Sequence, residues 1–209
     1  MKAVIMAGGE GTRLRPLTVS RPKPMVPVCN RPVMEYTLDL LKRYGIDTVV
    51  VTLHYKAEDI ISYFGDGTDF GLKIVYSIES SPMGTAGSVK QIQDTVGDDT
   101  FLVISGDGLT DIDLGRAVAF HKEKRSTATL VLMRVNNPLE YGVVITNENN
   151  AIERFLEKPS WGEVFSDQVN TGIYILEPEI FNLMEKGRNY DFSRDIFPKL
   201  LEQKKGLYG

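Results

Sequence analysis

Ala3-Val-Ile-Met-Ala7-Gly8-Gly9-Glu10-Gly11-Thr12-Arg13-Leu14-Arg15-Pro16, at the start of a 209-residue chain, decides how the rest is read. Ala3 to Met6 is apolar without alternation, which predicts a strand buried on both faces. It breaks directly into Gly8, Gly9 and Gly11, with Thr12 and Arg13 behind them. Glycines let backbone N–H groups turn towards an anion with no side chain in the way. Arg13, Arg15 and the Lys23 of Arg21-Pro22-Lys23-Pro24 add positive charge around the same loop, so the stretch reads as a phosphate cradle. The plain alternative is a glycine turn with solvated arginines. Two familiar cradles are excluded. A dinucleotide fingerprint needs a third glycine where Leu14 stands, and a P-loop needs a lysine that none of these glycines has at the required spacing.

Further strands of the same kind follow. Thr48–Leu53 and Phe101–Ser105 are buried apolar runs, and Leu72–Ser77 is a third. Helices are expected over Pro32–Tyr44, stopped by Gly45, over Ala57–Phe64, through Val89 and Ile92, and over Leu114–Lys124. Strands alternating with helices predict an α/β fold with a Rossmann-like, mixed but mostly parallel sheet flanked by helices. Thr127–Val135, Tyr141–Ile145 and Ile152–Leu156 read as antiparallel additions around the polar turn Asn147–Asn150. Short helices are expected at Pro178–Met184 and Asp195–Leu201, and a new strand begins at Leu207.

Three later stretches carry candidate chemistry. Ser80–Ser88 is a loop of small residues that would let backbone approach a flat ligand, although it also reads as a turn and helix cap. Asp107, delivered by the apolar run before it, is placed where an α/β enzyme would hold Mg²⁺, a hard cation that takes oxygen ligands. Its alternative is an Asp turn, with Asp111 and Asp113 as helix caps. Glu157-Lys158-Pro159 reads by itself as a solvated ion pair. His54 either lines the crevice or holds loop backbone, His121 is expected on a solvated helix face, Cys29 as a small packed residue, and Trp161 as a loop aromatic without an assigned role.

Composition is ordinary for a globular domain, 42% hydrophobic and 25% charged, and one domain accommodates the whole chain. A net charge of −4 offers no bulk attraction for nucleic acid or anionic membrane, so neither is expected as a partner. One cysteine excludes an internal disulfide and fits a reducing compartment. With no secretory pattern before the first strand, the expected location is cytoplasmic.

Taken in order, Gly-Gly-x-Gly-Thr-Arg-Leu-x-Pro-Leu-Thr, Arg-Pro-Lys-Pro, Pro82-x-Gly84-Thr85-Ala-Gly87, Gly106-Asp107, Tyr141-Gly142-Val-Val, Glu157-Lys158-Pro and Asn170-Thr171-Gly-Ile-Tyr174 resemble the sugar-1-phosphate nucleotidyltransferases, in their guanylyltransferase form. The resemblance spans essentially the whole chain. It implies nucleotide binding by Ala7, Gly8, Gly9, Gly11, Thr12, Gly84 and Thr85, and catalysis by Arg13, Lys23 and Asp107 with Mg²⁺ on Asp107. It further implies sugar contacts from Gly142, Glu157, Asn170 and Thr171, with Lys158 on the sugar phosphate. The implied substrates are an NTP, GTP first, and a sugar 1-phosphate, mannose 1-phosphate first. A uridylyl- or thymidylyltransferase for glucose 1-phosphate and a non-catalytic nucleotide-sugar sensor are the alternatives. Residues 1–209 are expected to be a catalytic domain cut short at its C-terminal end, before a second metal-binding aspartate that relatives carry. A homo-oligomer or a further C-terminal domain fits the same resemblance.

Overall fold

The computed structural model describes all residues, Met1–Gly209. In chain order the elements are β1 (Ala3–Met6), the hairpin β2 (Pro27–Val28) and β3 (Arg31–Pro32), α1 (Val33–Arg43), β4 (Thr48–Leu53), α2 (Ala57–Phe64), β5 (Lys73–Ile78), α3 (Gly84–Gln91), α4 (Gln93–Val96), β6 (Phe101–Ser105), α5 (Leu114–Lys124), β7 (Ala128–Arg134), β8 (Gly142–Thr146), β9 (Ile152–Glu157), β10 (Gln168–Leu176), α6 (Phe197–Glu202) and β11 (Leu207–Tyr208). The apolar runs became strands because both of their faces are covered. Along β1, Ala3 and Ile5 enter one core while Val4 enters the other, and β4 and β6 divide in the same way. Met34, Leu38 and Leu41 of α1 and Ile60 and Phe64 of α2 close the first core; Ala86 and Val89 of α3 and Phe197 and Leu200 of α6 close the second. Removing a Val, Leu or Ile side chain of this kind from water contributes about 1.5–3 kcal/mol.

The main sheet runs β11-β7-β10-β6-β1-β4-β5. β5, β4, β1 and β6 are parallel; β10 is antiparallel to both β6 and β7, and β8 and β9 extend from it as antiparallel additions. This is the mixed, mostly parallel sheet expected from the sequence. From β1 the chain returns to β4 on one side and later to β6 on the other, so strand order reverses between β1 and β6. Ligand crevices of open α/β sheets lie at that reversal, beyond the carboxyl ends of the strands. Here those ends are Met6 and Ser105, which sit side by side in register.

Two expectations need correction. His121 is buried, 1% exposed, with Nδ1 2.8 Å from Thr129 Oγ1 and Nε2 2.9 Å from Glu177 Oε1. It lies seven residues after buried Leu114, which brings it back to the sheet-facing stripe of α5. Cys29 is exposed at the tip of the β2–β3 hairpin, with φ 48°. The short helix expected at Pro178–Met184 is present as a 3₁₀ helix over Pro178–Leu183, and a wide turn over Phe192–Ile196 precedes α6. Asp113 does cap α5, its carboxylate accepting from Arg116 N–H at 3.0 Å.

Candidate active site

The ends of β1 and β6 open into two adjoining cavities. The first, about 480 Å³, is lined by Ala7, Gly9, Gly11, Thr12, Arg13 and Lys23, with Thr85 and Asp107 facing them. The second, about 450 Å³, shares Gly9, Thr85 and Asp107 with the first and adds Gly8, His54, Glu79 and Gly84. Residues spread over more than a hundred positions thus line two adjoining cavities.

The glycine loop is built for two different reasons. Gly11 has φ +64°, and a Cβ there would stand 3.0 Å from the Thr18 methyl, so the fold itself requires glycine. A Cβ on Gly9 would meet nothing within 4 Å, so the protein does not demand glycine there and the bare backbone faces the cavity. Thr18, fully buried, donates to Gly11 O at 2.8 Å, and Tyr55 donates to Thr18 O at 3.2 Å, which pins the far side of the loop. Arg13 remains three-quarters exposed and within 3.7 Å of the Glu140 carboxylate across the crevice mouth.

Asp107 and Lys23 form an ion pair at the centre of the first cavity. Burial pushes the Asp107 carboxyl up, but the Lys23 ammonium and the Ser105 hydroxyl, which donates to Oδ1 at 2.7 Å, outweigh it and hold the group below its ordinary range. Asp107 is therefore ionised at neutral pH. No cluster of three or more His, Cys, Asp or Glu side chains gathers in the chain, and Asp107 is the one carboxylate that lines the first cavity, so it is the side chain that these residues would offer a cation there. That suits Mg²⁺, which keeps waters and completes its shell with substrate phosphates.

In the second cavity the residue that sequence reading missed is Glu79, which follows β5 and is 7% exposed. Its Oε2 accepts from Met83 N–H at 2.9 Å. Burial raises its pKa, against the lowering effect of the Met83 N–H and His54. His54 does both things considered for it: it lines this cavity, and its Nδ1 lies 3.1 Å from Glu79 O. Gly84 and Thr85 open α3 here, where first-turn N–H groups have no intrahelical partner. The Thr85 hydroxyl is already engaged, donating to Asp191 Oδ2 at 3.0 Å and accepting from Phe192 N–H at 2.9 Å. A Cβ on Gly84 would fall 2.5 Å from Tyr190 O, so this glycine is required by the close approach of that backbone.

The remaining candidates lie on the β8–β10 side. Gly142 and Glu157 are register partners, and a Cβ on Gly142 would stand 2.8 Å from Glu157 Oε2. Burial, then the Asp191 charge, pushes Glu157 up against Lys158, Ser193 and Arg194. Lys158 has φ 47° and an exposed side chain, its N–H donating to Tyr141 O at 3.0 Å. Asn170 and Thr171 face a third cavity of about 230 Å³ that touches the second at Ser105. Both are also structural: Thr171 donates to Val131 O at 2.8 Å, and Asn170 Nδ2 to the Tyr174 hydroxyl at 2.9 Å.

Comparison with known proteins bears on the family and the fold. The model of the family described as Nucleotidyl transferase matches residues 2–209. A UTP–glucose-1-phosphate uridylyltransferase from Synechocystis sp. is 45% identical over 97% of this chain and 55% of its own length. A mannose-1-phosphate guanylyltransferase from Mycobacterium tuberculosis is 38% identical over 95% of this chain and 55% of its own. This chain thus spans about half the length of the curated relatives it matches. The crystal structure of HddC from Yersinia pseudotuberculosis superimposes with a TM-score of 0.84 at 26% identity, covering 99% of this chain and 88% of that one. The same protein complexed with GMP-PN gives 0.80 at 27% identity, covering 95% and 85%. With a Rossmann-like sheet, a cationic glycine loop and a strand-end aspartate in one crevice, and a family match along its whole length, this chain belongs to the nucleotidyl transferase family.

Proposed function

We propose that this chain transfers a nucleotidyl group from an NTP to a sugar 1-phosphate, with GTP and mannose 1-phosphate as the first pair to test. The observation that carries the reading is the gathering of the Gly9–Gly11 backbone, Arg13, Lys23 and Asp107 around one cavity of about 480 Å³. A phosphate oxygen of the sugar 1-phosphate attacks the α-phosphorus, the bond to the β-phosphate oxygen breaks, and pyrophosphate leaves. The nucleophile is already an anion, so no protein base is needed and catalysis is positioning plus charge neutralisation. Arg13 would hold the departing β- and γ-phosphates, Lys23 the α-phosphate and Lys158 the sugar phosphate. Loop backbone N–H groups from Gly8 to Thr12 would cradle the triphosphate. Asp107 would hold Mg²⁺, which supplies charge neutralisation on the phosphates when bound.

Glu79 supports guanine as the base. Guanine presents two adjacent donors, N1–H and the N2 amino group, to a carboxylate, whereas uracil presents one donor between two carbonyl oxygens. An ionised Glu79 would attract the first edge and repel the second. The uridylyltransferase reading is kept because the Synechocystis relative is 45% identical. A panel of four NTPs, each with mannose or glucose 1-phosphate, separates them by pyrophosphate release. GTP turning over at least tenfold faster than UTP supports the first reading, and the reverse order supports the second.

A further inference from the structure

We propose that Lys23 is the resident counter-ion of Asp107, and that it must leave this carboxylate before a divalent cation binds there. The proposal rests on Asp107 being the metal ligand of the site described above. Asp107 has two oxygens: Oδ1 accepts the Ser105 hydroxyl at 2.7 Å, and Oδ2 is paired with the Lys23 ammonium. Both side chains are largely shielded, 27% exposed for Asp107 and 35% for Lys23, so water screens their attraction less than on an open surface. A cation approaching Oδ2 meets a like charge already in place. Lys23 also lines the cavity shared with Arg13 and the glycine loop, so a bound triphosphate offers it a second anionic partner within the same cavity. Nucleotide and metal then favour each other: phosphate draws Lys23 away, Oδ2 is freed, and by linkage a bound metal strengthens the hold of Lys23 on phosphate. Ser105 remains on Oδ1 throughout and keeps the carboxylate oriented. Without nucleotide, the site is closed to metal by its own lysine.

The test is a Mn²⁺ titration of nucleotide-free protein, followed by electron paramagnetic resonance, on the parent chain and on Lys23→Met, Lys23→Gln, Lys23→Arg and Asp107→Asn. Lys23→Met and Lys23→Gln should bind one Mn²⁺ about tenfold or more tighter than the parent. Lys23→Arg should restore weak binding, and Lys23→Met combined with Asp107→Asn should lose the gain. Equal or weaker binding in Lys23→Met and Lys23→Gln overturns the proposal, as does an absence of Mn²⁺ binding in every variant. Either Lys23 variant suffices if the other fails to fold by circular dichroism. The titration contains no substrate, so its outcome is independent of whether the proposed transfer reaction is observed.

Discussion

Replacing Glu79 by Gln isolates the contribution of one carboxylate to base choice. Oε2 is committed to Met83 N–H at 2.9 Å, and Gln can keep that bond through its carbonyl oxygen, so the loop should remain folded. What changes is the atom left for the base: a carboxylate oxygen becomes an amide NH₂, which faces the guanine donors with a donor of its own. Hydrogen bonds to charged groups are worth about 1.5–3 kcal/mol, which corresponds to a roughly 10- to 150-fold fall in kcat/KM for GTP. UTP should lose nothing or gain, because the amide can donate to a uracil carbonyl. The pH dependence follows from the raised pKa of Glu79. The parent should lose GTP affinity as pH falls through that raised value, while Glu79→Gln shows no such loss. In the free protein, stability falls as pH rises from the unfolded carboxyl pKa to the raised folded one, because the folded state holds its proton longer, and the substitution removes that slope. The assay is pyrophosphate release with GTP and UTP across pH 5–8, beside thermal melting. An unchanged GTP/UTP ratio in a folded Glu79→Gln protein would refute the reasoning.

Three further outcomes follow from the same geometry. Arg13→Ala should lower kcat/KM about 100- to 1000-fold without moving the melting temperature, since the side chain is three-quarters exposed and its contact with Glu140 is loose; paired kinetics and calorimetry check both halves. Gly142→Ala should destabilise by about 1–3 kcal/mol in denaturant titrations and raise the KM for the sugar phosphate, because its Cβ would sit 2.7 Å from Phe155 Cζ and 2.8 Å from Glu157 Oε2. His121→Ala should lose about 1–3 kcal/mol of stability by stranding the buried Thr129 hydroxyl, while Glu177 keeps the Thr100 hydroxyl and water, with kcat/KM unchanged, as His121 lines neither the first nor the second cavity.

Much of the site was legible because its parts are local. A strand end followed by glycines and arginines, or by Gly106-Asp107, carries its chemistry within a few residues, and parallel α/β topology then brings such ends together. Glu79 was not legible: nothing beside it in sequence marks a carboxylate that burial and the return of the chain through Met83 turn into a cavity wall. The ion pairs Lys23–Asp107 and Arg13–Glu140 join residues 84 and 127 positions apart, so local spacing could not reveal them. Of the nine-residue strand Gln168–Leu176 the sequence shows only the motif Asn170–Tyr174, since Asn170 and Gly172 interrupt the apolar pattern. The structure resolves this by a register shift between Asn170 and Tyr174, with Gly172 at φ +80°. The direction of β10, reversed against β6, is set by pairing and leaves no mark on residue order.

Nucleotidyl transfer in the cavity that holds Arg13, Lys23 and Asp107 is the proposed activity on which the other predictions rest. Its most direct test follows label from [α-³²P]GTP into a nucleotide-sugar, with mannose 1-phosphate and Mg²⁺, in the parent chain and in Asp107→Asn. Labelled nucleotide-sugar from the parent, strongly reduced in Asp107→Asn, is the predicted result. No label transfer by a folded parent chain from any of the four α-labelled NTPs to mannose or glucose 1-phosphate, or transfer that Asp107→Asn leaves untouched, would contradict the claim.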